Sequence, residues 1–125
     1  LEIDPNNATV LNNYAYYLSE RDNKLEKAEK MSKKSNLLVD NNSAFIDTYA
    51  WIMYKMKNYS EALEWIEQAM ELPDAKERPE LLQHYGDILF KAGKVEDAVA
   101  QWKRALEKGG DKTILESKIR NKKTE

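Results

Sequence analysis

The chain has 125 residues, 42% of them hydrophobic and 34% charged, with a formal net charge of -2 at pH 7. This length suits one domain with a hydrophobic core, and the even charge balance gives no indication of nucleic acid or of an acidic partner. The sequence has no cysteine, which excludes disulfides and thiolate chemistry, and no apolar run long enough for direct membrane insertion. Because only 4 glycines and 3 prolines interrupt the chain, long helices are expected.

Residues 8–42 contain two amphipathic segments in succession. The first, LNNYAYYLSE, has an apolar stripe at helical spacing. That stripe consists of Leu11, Tyr14, Ala15 and Leu18. The second segment, KLEKAEKMSKKSNLLVD, begins at Lys24 and is rich in charge, with the small residues Ala28 and Ser35 seven positions apart. Both segments are therefore predicted to be helices, and they form a pair.

The basic residues of that second segment fall on one side of the predicted helix. Lys27, Lys30 and Lys34 can share a face, which Glu26 and Glu29 interrupt. No aromatic residue interleaves with them for base stacking. We interpret this strip as a solvated face.

The same pair recurs in residues 43–78 and in residues 79–111. Its second segment reads NYSEALEWIEQAMELPD in the first of these ranges and KVEDAVAQWKRALEKGG in the second. The aligned alanines Ala28, Ala62 and Ala98 are therefore separated by 34 and 36 residues. The first segments align through a tyrosine and a small residue, at Tyr14-Ala15, Tyr49-Ala50 and Tyr85-Gly86. A period near 34 that holds two amphipathic segments indicates a helix–turn–helix repeat.

Small residues on a face that must be buried have a physical explanation. Helices whose backbones approach closely leave room only for small side chains at the crossing, and larger neighbours then interlock around them. Ala69 and Ala105 follow Ala62 and Ala98 by seven positions and fall on the same face. The alanines are therefore interpreted as packing positions and not as a site.

Residues 112–125 are predicted to form a C-terminal capping helix. Asp111 is its expected N-cap, and an apolar face would cover the last repeat. That face is expected to hold Ile114, Leu115 and Ile119. The basic residues are expected on the outside, at Lys118, Arg120, Lys122 and Lys123. The helix dipole favours a basic C-terminus, so nucleic-acid binding is not expected.

Together these elements resemble the tetratricopeptide repeat family over almost the whole chain. The family pattern has a large residue, an aromatic or Leu, Gly or Ala and a large residue in the first helix, and Ala, a large residue, Ala and Pro in the second. Residues 43–78 fit it through Ile46, Tyr49, Ala50, Met53, Ala62, Ile66, Ala69 and Pro73. The resemblance implies an all-α, right-handed superhelical array of antiparallel helix pairs, with three repeats and a capping helix. It also implies that residues 1–7, LEIDPNN, are the end of a preceding truncated repeat.

A narrower resemblance links the runs DTYAWIMYKMKNYSEA and HYGDILFKAGKVEDAVAQW to the C-terminal repeats of bacterial envelope tetratricopeptide proteins, many of them lipoproteins. The matching residues are Asp47, Trp51, Tyr54, His84, Gly86, Asp87, Gly93, Ala98 and Trp102. Some of these relatives act as adaptors that present substrates to proteases or assemble envelope complexes. The resemblance implies a periplasmic or cell-envelope setting.

In this family the first helices line a concave surface, and the resemblance places a partner-binding groove there. Side chains one position beyond the packed stripe form a second stripe along each first helix. The candidate groove residues are Asn12, Tyr16, Asp47, Trp51, Tyr54, Gln83, His84, Asp87 and Phe90. Trp51 and Tyr54 are the expected anchors, because tyrosine and tryptophan bury large areas at low entropic cost. The alternative is that both pack against the adjacent first helix and continue the core.

The resemblance also bears on the class of partner. Some family members hold a partner's C-terminal carboxylates with a clamp of Lys, Asn and Arg, and the matching positions here lack that set of cations. These positions are Asn12, Tyr16, Thr48, Glu80 and His84. The groove instead carries three acidic residues against Lys55 and Lys91, which favours a neutral or mildly basic, partly apolar protein or peptide.

No pattern in the sequence indicates an enzyme. His84, the only histidine, could share a helix face with Glu80 and Asp87, but zinc sites need three or four ligands at better-defined spacing. A Gly-rich phosphate loop and a nucleophile motif are both missing. We therefore expect no cofactor and interpret the chain as a protein-interaction scaffold or adaptor. One alternative is that the repeats extend or cap a longer array whose binding site lies upstream, and both a monomer and weak self-association remain open.

Overall fold

The computed structural model describes residues 6–21 and 24–124, and the regular elements in these ranges are all helices. In chain order they are α1 (Ala8–Glu20), α2 (Leu25–Leu38), α3 (Ser43–Lys55), α4 (Tyr59–Met70), a short 3-10 helix (Ala75–Glu77), α5 (Pro79–Lys91), α6 (Val95–Glu107) and α7 (Lys112–Asn121). The all-α prediction is confirmed. Of the predicted preceding repeat end, residues 1–5 lie outside the described residues. Within the described ranges, no helix is long and apolar enough to cross a membrane.

Successive helices pack as antiparallel pairs, α1 with α2, α3 with α4 and α5 with α6. The pairs then stack in chain order, because α3 also contacts α1 and α2, and α5 also contacts α3 and α4. After the last pair, α7 packs on α6. The result is the predicted array of helix pairs, in which the first helices α1, α3 and α5 lie side by side and form one surface.

Side-chain caps fix where several of these helices begin. The Asn7 side chain accepts a hydrogen bond from the backbone N–H of Val10 at 3.0 Å, and Asn42 caps α3 in the same way. The Asp111 carboxylate accepts from the backbone N–H of Ile114 at 3.0 Å, which confirms the predicted cap of α7. Each cap satisfies one N–H that the first helical turn would otherwise leave without a partner.

The centre of the array is built on the small residues that the sequence repeats. The small residues without exposed surface include Ala15, Ala28, Ser32, Ser35, Ala50, Ala62, Ala69, Ala98 and Ala105. Larger apolar side chains surround them in two clusters. The first joins the α1–α2 and α3–α4 pairs and reaches Ile88 on α5, and the second gathers α5, α6 and α7 around Trp102. The interpretation of the alanines as packing positions is confirmed.

As predicted, α7 is a terminal helix that packs against the last repeat. Two of its residues, however, lie on the opposite side of the helix from the one that the sequence predicted. Leu115 is fully buried and Ile119 is partly buried against the second cluster. Ile114, however, is 45% exposed, and Lys118 is only 6% exposed. The reason is electrostatic, because the Lys118 ammonium ion-pairs with the buried Asp87 carboxylate on α5 and so turns that side of α7 inward.

Gly86 permits the closest approach in the third pair. A β-carbon added there would lie 2.4 Å from Cδ1 and Nε1 of Trp102 and 3.1 Å from the carbonyl oxygen of Ala98. At the corresponding positions the second repeat has Ala50 and Ile66. Gly86 on α5, which lacks the methyl group of Ala50, therefore leaves room for Trp102 on α6, whose ring is larger than the side chain of Ile66.

We expect Gly86→Ala to lower the free energy of unfolding by about 1–3 kcal/mol, because the new methyl group overpacks the crossing. Alanine has the higher helix propensity by about 1 kcal/mol, so a net loss isolates the clash. Urea unfolding of the single variants and of Gly86→Ala/Trp102→Ile, which copies the second repeat, measures the coupling. The double variant should lose less than the sum of the single losses, and strict additivity would contradict this account.

Candidate functional site

An aromatic stack runs across the surface formed by the first helices. The Trp51 ring on α3 lies between the His84 ring on α5, at 4.0 Å between centroids and 17° between planes, and the Tyr54 ring, at 4.5 Å and 9°. Tyr16 on α1 reaches the other side of His84, at 6.0 Å between centroids. The stack therefore joins α1, α3 and α5, one helix from each repeat.

The stack places Trp51 inside the protein rather than on its surface. Its side chain is 8% exposed, its ring stacks with His84 and with Tyr54, and its Nε1 donates to the Glu20 carboxylate at 3.0 Å. This is the position that the alternative sequence interpretation describes, with packing against the adjacent first helix. Tyr54 differs because it is only half-buried and retains accessible surface.

His84 and Asp47 form a buried pair between α5 and α3. The His84 Nδ1 atom lies 2.8 Å from Asp47 Oδ1, and the two residues are 4% and 8% exposed. Burial alone lowers the pKa of His84, but the Asp47 carboxylate, with contributions from Glu80 and Asp87, raises that pKa above its ordinary value overall. The pair thus favours a protonated His84 whose ring is held in one orientation.

Asp87 belongs to a second polar cluster, around α7. Its carboxylate oxygens lie 2.9 and 3.1 Å from the Lys118 Nζ atom, and Oδ1 also accepts from Trp102 Nε1 at 3.0 Å. Burial raises the pKa of Asp87, which the Lys118 ammonium partly offsets. Phe90 is also on this side, 6.2 Å from the Trp102 ring.

A pocket of about 260 Å³ opens between the first helices beside the stack. It is lined by Asn12, Asn13, Tyr16, Ala44, Asp47, Thr48, Arg78, Glu80 and Leu81. Asn12 is 8% exposed, and its Oδ1 atom accepts no hydrogen bond from the part of the chain that is described. The Tyr16 hydroxyl is hydrogen-bonded to Glu80, and burial together with this carboxylate raises the pKa of Tyr16.

The nine predicted groove residues thus fall into separate environments. Five of them, Asn12, Tyr16, Asp47, Trp51 and Tyr54, gather with His84 around the pocket and the stack. Asp87 and Phe90 lie with the packing of α7 instead, and Gln83 is half-buried on α5.

Sequence analysis did not identify several polar residues of these environments. Asn13 and Arg78 line the pocket, and Lys118 is the buried partner of Asp87. Lys118 follows Leu115 by three positions, the spacing of one helix face, and this is the signal that could have identified it.

The described residues contain no group of three His, Cys, Asp or Glu side chains that could hold a metal ion. The three residues that the sequence suggested as metal ligands, His84, Glu80 and Asp87, are engaged in other contacts. His84 pairs with Asp47, Glu80 is bonded to Tyr16, and Asp87 pairs with Lys118.

Comparison with known proteins gives a family match and several similar folds. A sequence model described as tetratricopeptide repeat matches residues 1–109, whereas no curated protein matches the chain. The first TPR domain of Spaghetti (RPAP3), solved with an HSP90 peptide, is 18% identical with a TM-score of 0.80, over 98% of this chain and 94% of that one. The Yersinia enterocolitica type III secretion translocator chaperone SycD is 19% identical with a TM-score of 0.76, over 97% and 86%.

An enzyme also contains a similar region. The O-GlcNAc transferase of Thermobaculum terrenum is 18% identical with a TM-score of 0.80, over 92% of this chain but only 22% of the transferase. At such low identities these likenesses show the fold alone.

The Asp87–Lys118 pair predicts the stability of α7 variants. Lys118→Met leaves a buried carboxylate without its cation, so we expect the free energy of unfolding to fall by about 3–5 kcal/mol in denaturant titrations. Asp87→Asn/Lys118→Met removes both charges and is the control. It should recover a large part of that loss. A double variant as unstable as the sum of its single variants would refute a stabilising pair.

The raised pKa of His84 predicts a pH dependence of stability. Its ordinary value is about 6.5, so the contribution of protonated His84 is complete below that pH and is lost as pH rises through the higher pKa of the folded state. The stability advantage of the wild type over His84→Gln should therefore shrink as pH rises above about 6.5, before tyrosine titrates. Urea titrations at each pH measure it, and a constant or growing difference would show that the sign is wrong.

Proposed function

Because the chain belongs to the tetratricopeptide repeat family, we propose that it is a protein-interaction module that holds a segment of a partner protein in the groove of α1, α3 and α5. The observation that carries the proposal is the pocket beside Asn12. The pocket rim presents exposed polar groups, the Asn13 amide and the Glu80 carboxylate, whose oxygens can accept hydrogen bonds from N–H groups of a bound segment. The groove thus favours a ligand that brings a donor to this point.

The charges around the pocket indicate which kind of segment fits. Glu80 contributes an exposed carboxylate and Asp47 is paired with His84, whereas the single guanidinium of the lining, Arg78, is already paired with Asp74 at 3.0 Å. An excess of acceptors suits amide and ammonium donors, and so a neutral or mildly basic segment. This differs from a clamp for acidic C-termini, although the RPAP3 neighbour supports peptide binding as a use of the fold.

The predicted groove residues take two roles in this proposal. The contacting residues are Tyr16, Tyr54 and Gln83, which keep part of their surface accessible. Asn12 is buried and lines the pocket, and Phe90 lies with the packing of α7. The supporting residues are Asp47, Trp51, His84 and Asp87, all buried. A buried stack that holds Tyr16 and Tyr54 in fixed orientations lowers the entropy that binding must remove.

The second candidate is that the repeats extend a longer array whose binding site lies elsewhere. It is favoured by Val10 and Tyr17 on α1, which are 38% and 43% exposed and would be covered by another helix pair. No activity is proposed, because the tetratricopeptide repeat family is in general a non-catalytic interaction fold.

Photo-crosslinking tests the groove against the outer surface. A photoreactive amino acid at Asn13 lies at the rim of the pocket, and the same amino acid at Glu64 on α4 is exposed on a second helix. In cell extract, the Asn13 position should crosslink a partner that the Glu64 position does not. Asn13→Lys/Glu80→Lys should then weaken that partner's binding about tenfold, because the pocket rim becomes repulsive to a basic segment.

The matched control is Glu64→Lys/Glu71→Lys, which alters exposed residues on the outer helices and should leave binding unchanged. Equal crosslinking from both positions would refute the groove. A failure to capture any partner would favour the extension candidate.

A further inference from the structure

A second concave site lies away from the groove, between the N-terminal half of α2 and the C-terminal end of α3. It is an open depression of about 880 Å³, here called the lysine depression. Its lining is Lys24, Leu25, Glu26, Lys27, Lys30, Lys55, Met56 and Lys57. None of these residues lines the groove pocket, so the two sites are separate.

Positive charge is concentrated in this depression. Of the described residues, five lysines and one glutamate line it, while the whole chain carries a net charge of -2, so the remainder is acidic on balance. Lys27 and Lys30 lie three apart on one side of α2, and Lys24 is the N-cap residue that precedes them. Lys55, the last residue of α3, and Lys57 complete the lining. Two lysines of the strip that looks solvated on α2 alone, Lys27 and Lys30, thus belong to one wall of a basic site.

The backbone at Lys57 holds this lysine in an unfavourable conformation. Its φ is 65°, in the left-handed region, where the third repeat has Gly93 with a φ of 86°. Lys24 has a φ of 54°. Side chains with a β-carbon rarely adopt this region, yet the turn between the two helices of each pair uses it, at Lys24, Lys57 and Gly93. Two of the five lysines therefore occupy positions where the backbone alone would favour glycine.

The depression also contains apolar surface. Met56 is 40% exposed and Leu25 is half-buried, both among the lysine side chains. No lining residue is aromatic, and base stacking on aromatic rings is the usual means of holding single-stranded nucleic acid. A concave wall also fits a protruding chain better than a flat lipid surface.

We propose that the lysine depression binds an acidic segment of a protein, with an apolar side chain against Met56 and Leu25 and its carboxylates paired with the surrounding lysines. Charge complementarity selects the acidic chain, and the apolar surface distinguishes it from a simple polyanion. The proposal does not depend on the groove, because the two pockets share no residue and select segments of opposite charge.

Fluorescence anisotropy with a fluorescein-labelled peptide of repeated Glu-Glu-Leu tests this site. The wild-type chain should bind it with an affinity that falls as sodium chloride is added. Lys27→Glu/Lys30→Glu should weaken binding about tenfold or more. This variant should fold, because Lys27 lies in the first turn of α2, where the helix dipole favours an acidic side chain.

The matched control is Lys34→Glu/Lys103→Glu, which makes the same change in charge at exposed helical lysines outside the depression. It should bind like the wild type.

Lys57→Gly separates folding from binding. Glycine relieves the left-handed backbone, so the melting temperature should rise by about 3 °C, while peptide affinity should fall with the loss of one ammonium. A less stable variant would instead show that weaker binding follows from damage to the fold, and it would overturn the use of Lys57 as a binding residue.

Other outcomes overturn the proposal. Equal binding of the peptide by both charge-reversal variants would place the interaction elsewhere. If a single-stranded oligonucleotide or phosphatidylserine vesicles bind through Lys27 and Lys30 while the peptide does not, the occupant is a different polyanion. A peptide with Ser in place of Leu should bind more weakly, and equal binding would exclude the apolar contact with Met56.

Discussion

Close approach of the two helices in each pair is the constraint on which the rest of the molecule depends. Small, fully buried residues such as Ala62 and Ala98 let α4 and α6 lie directly against their partner helices. The second helix of each pair therefore covers the apolar stripe of the first helix. The polar residues of α1, α3 and α5 are then confined to the opposite face. The polar residues on the surface formed by α1, α3 and α5 therefore follow from packing on the other side of the same helices.

Two buried ion pairs connect α5 to its neighbours, one to α3 and the other to α7. His84 joins it to Asp47 on α3, and Asp87 joins it to Lys118 on α7. A buried ion pair adds little net stability over apolar packing, but leaving either member alone is costly, so each pair allows essentially one arrangement. With one pair on each side, α5 is fixed in register between the second repeat and the terminal helix.

Features that depend on one helix at a time could be predicted from the sequence. The repeat period, the all-helical class, the Asp111 cap and the buried alanines all follow from local spacing. The burial of Trp51 and Lys118 could not be predicted in this way. Each lies at the edge of a packed stripe, where burial depends on which neighbouring helix covers it. The lysine depression is a stronger case, since its two walls come from α2 and α3 and each wall alone resembles a solvated face. Sites formed between helices require their relative orientation, which periodicity does not contain.

A chain of three similar helix hairpins can exchange partners while it folds, with the second helix of one repeat docking on the first helix of another. The fit between Gly86 and Trp102 opposes such mispairing. On α3 the matching position is Ala50, whose methyl group would occupy the space that Trp102 needs, whereas Ile66 is the smaller side chain that follows in that repeat. Differences in side-chain size at equivalent positions thus favour the pairing of each second helix with the first helix of its own repeat. The repeats are alike enough to stack and different enough not to be interchangeable.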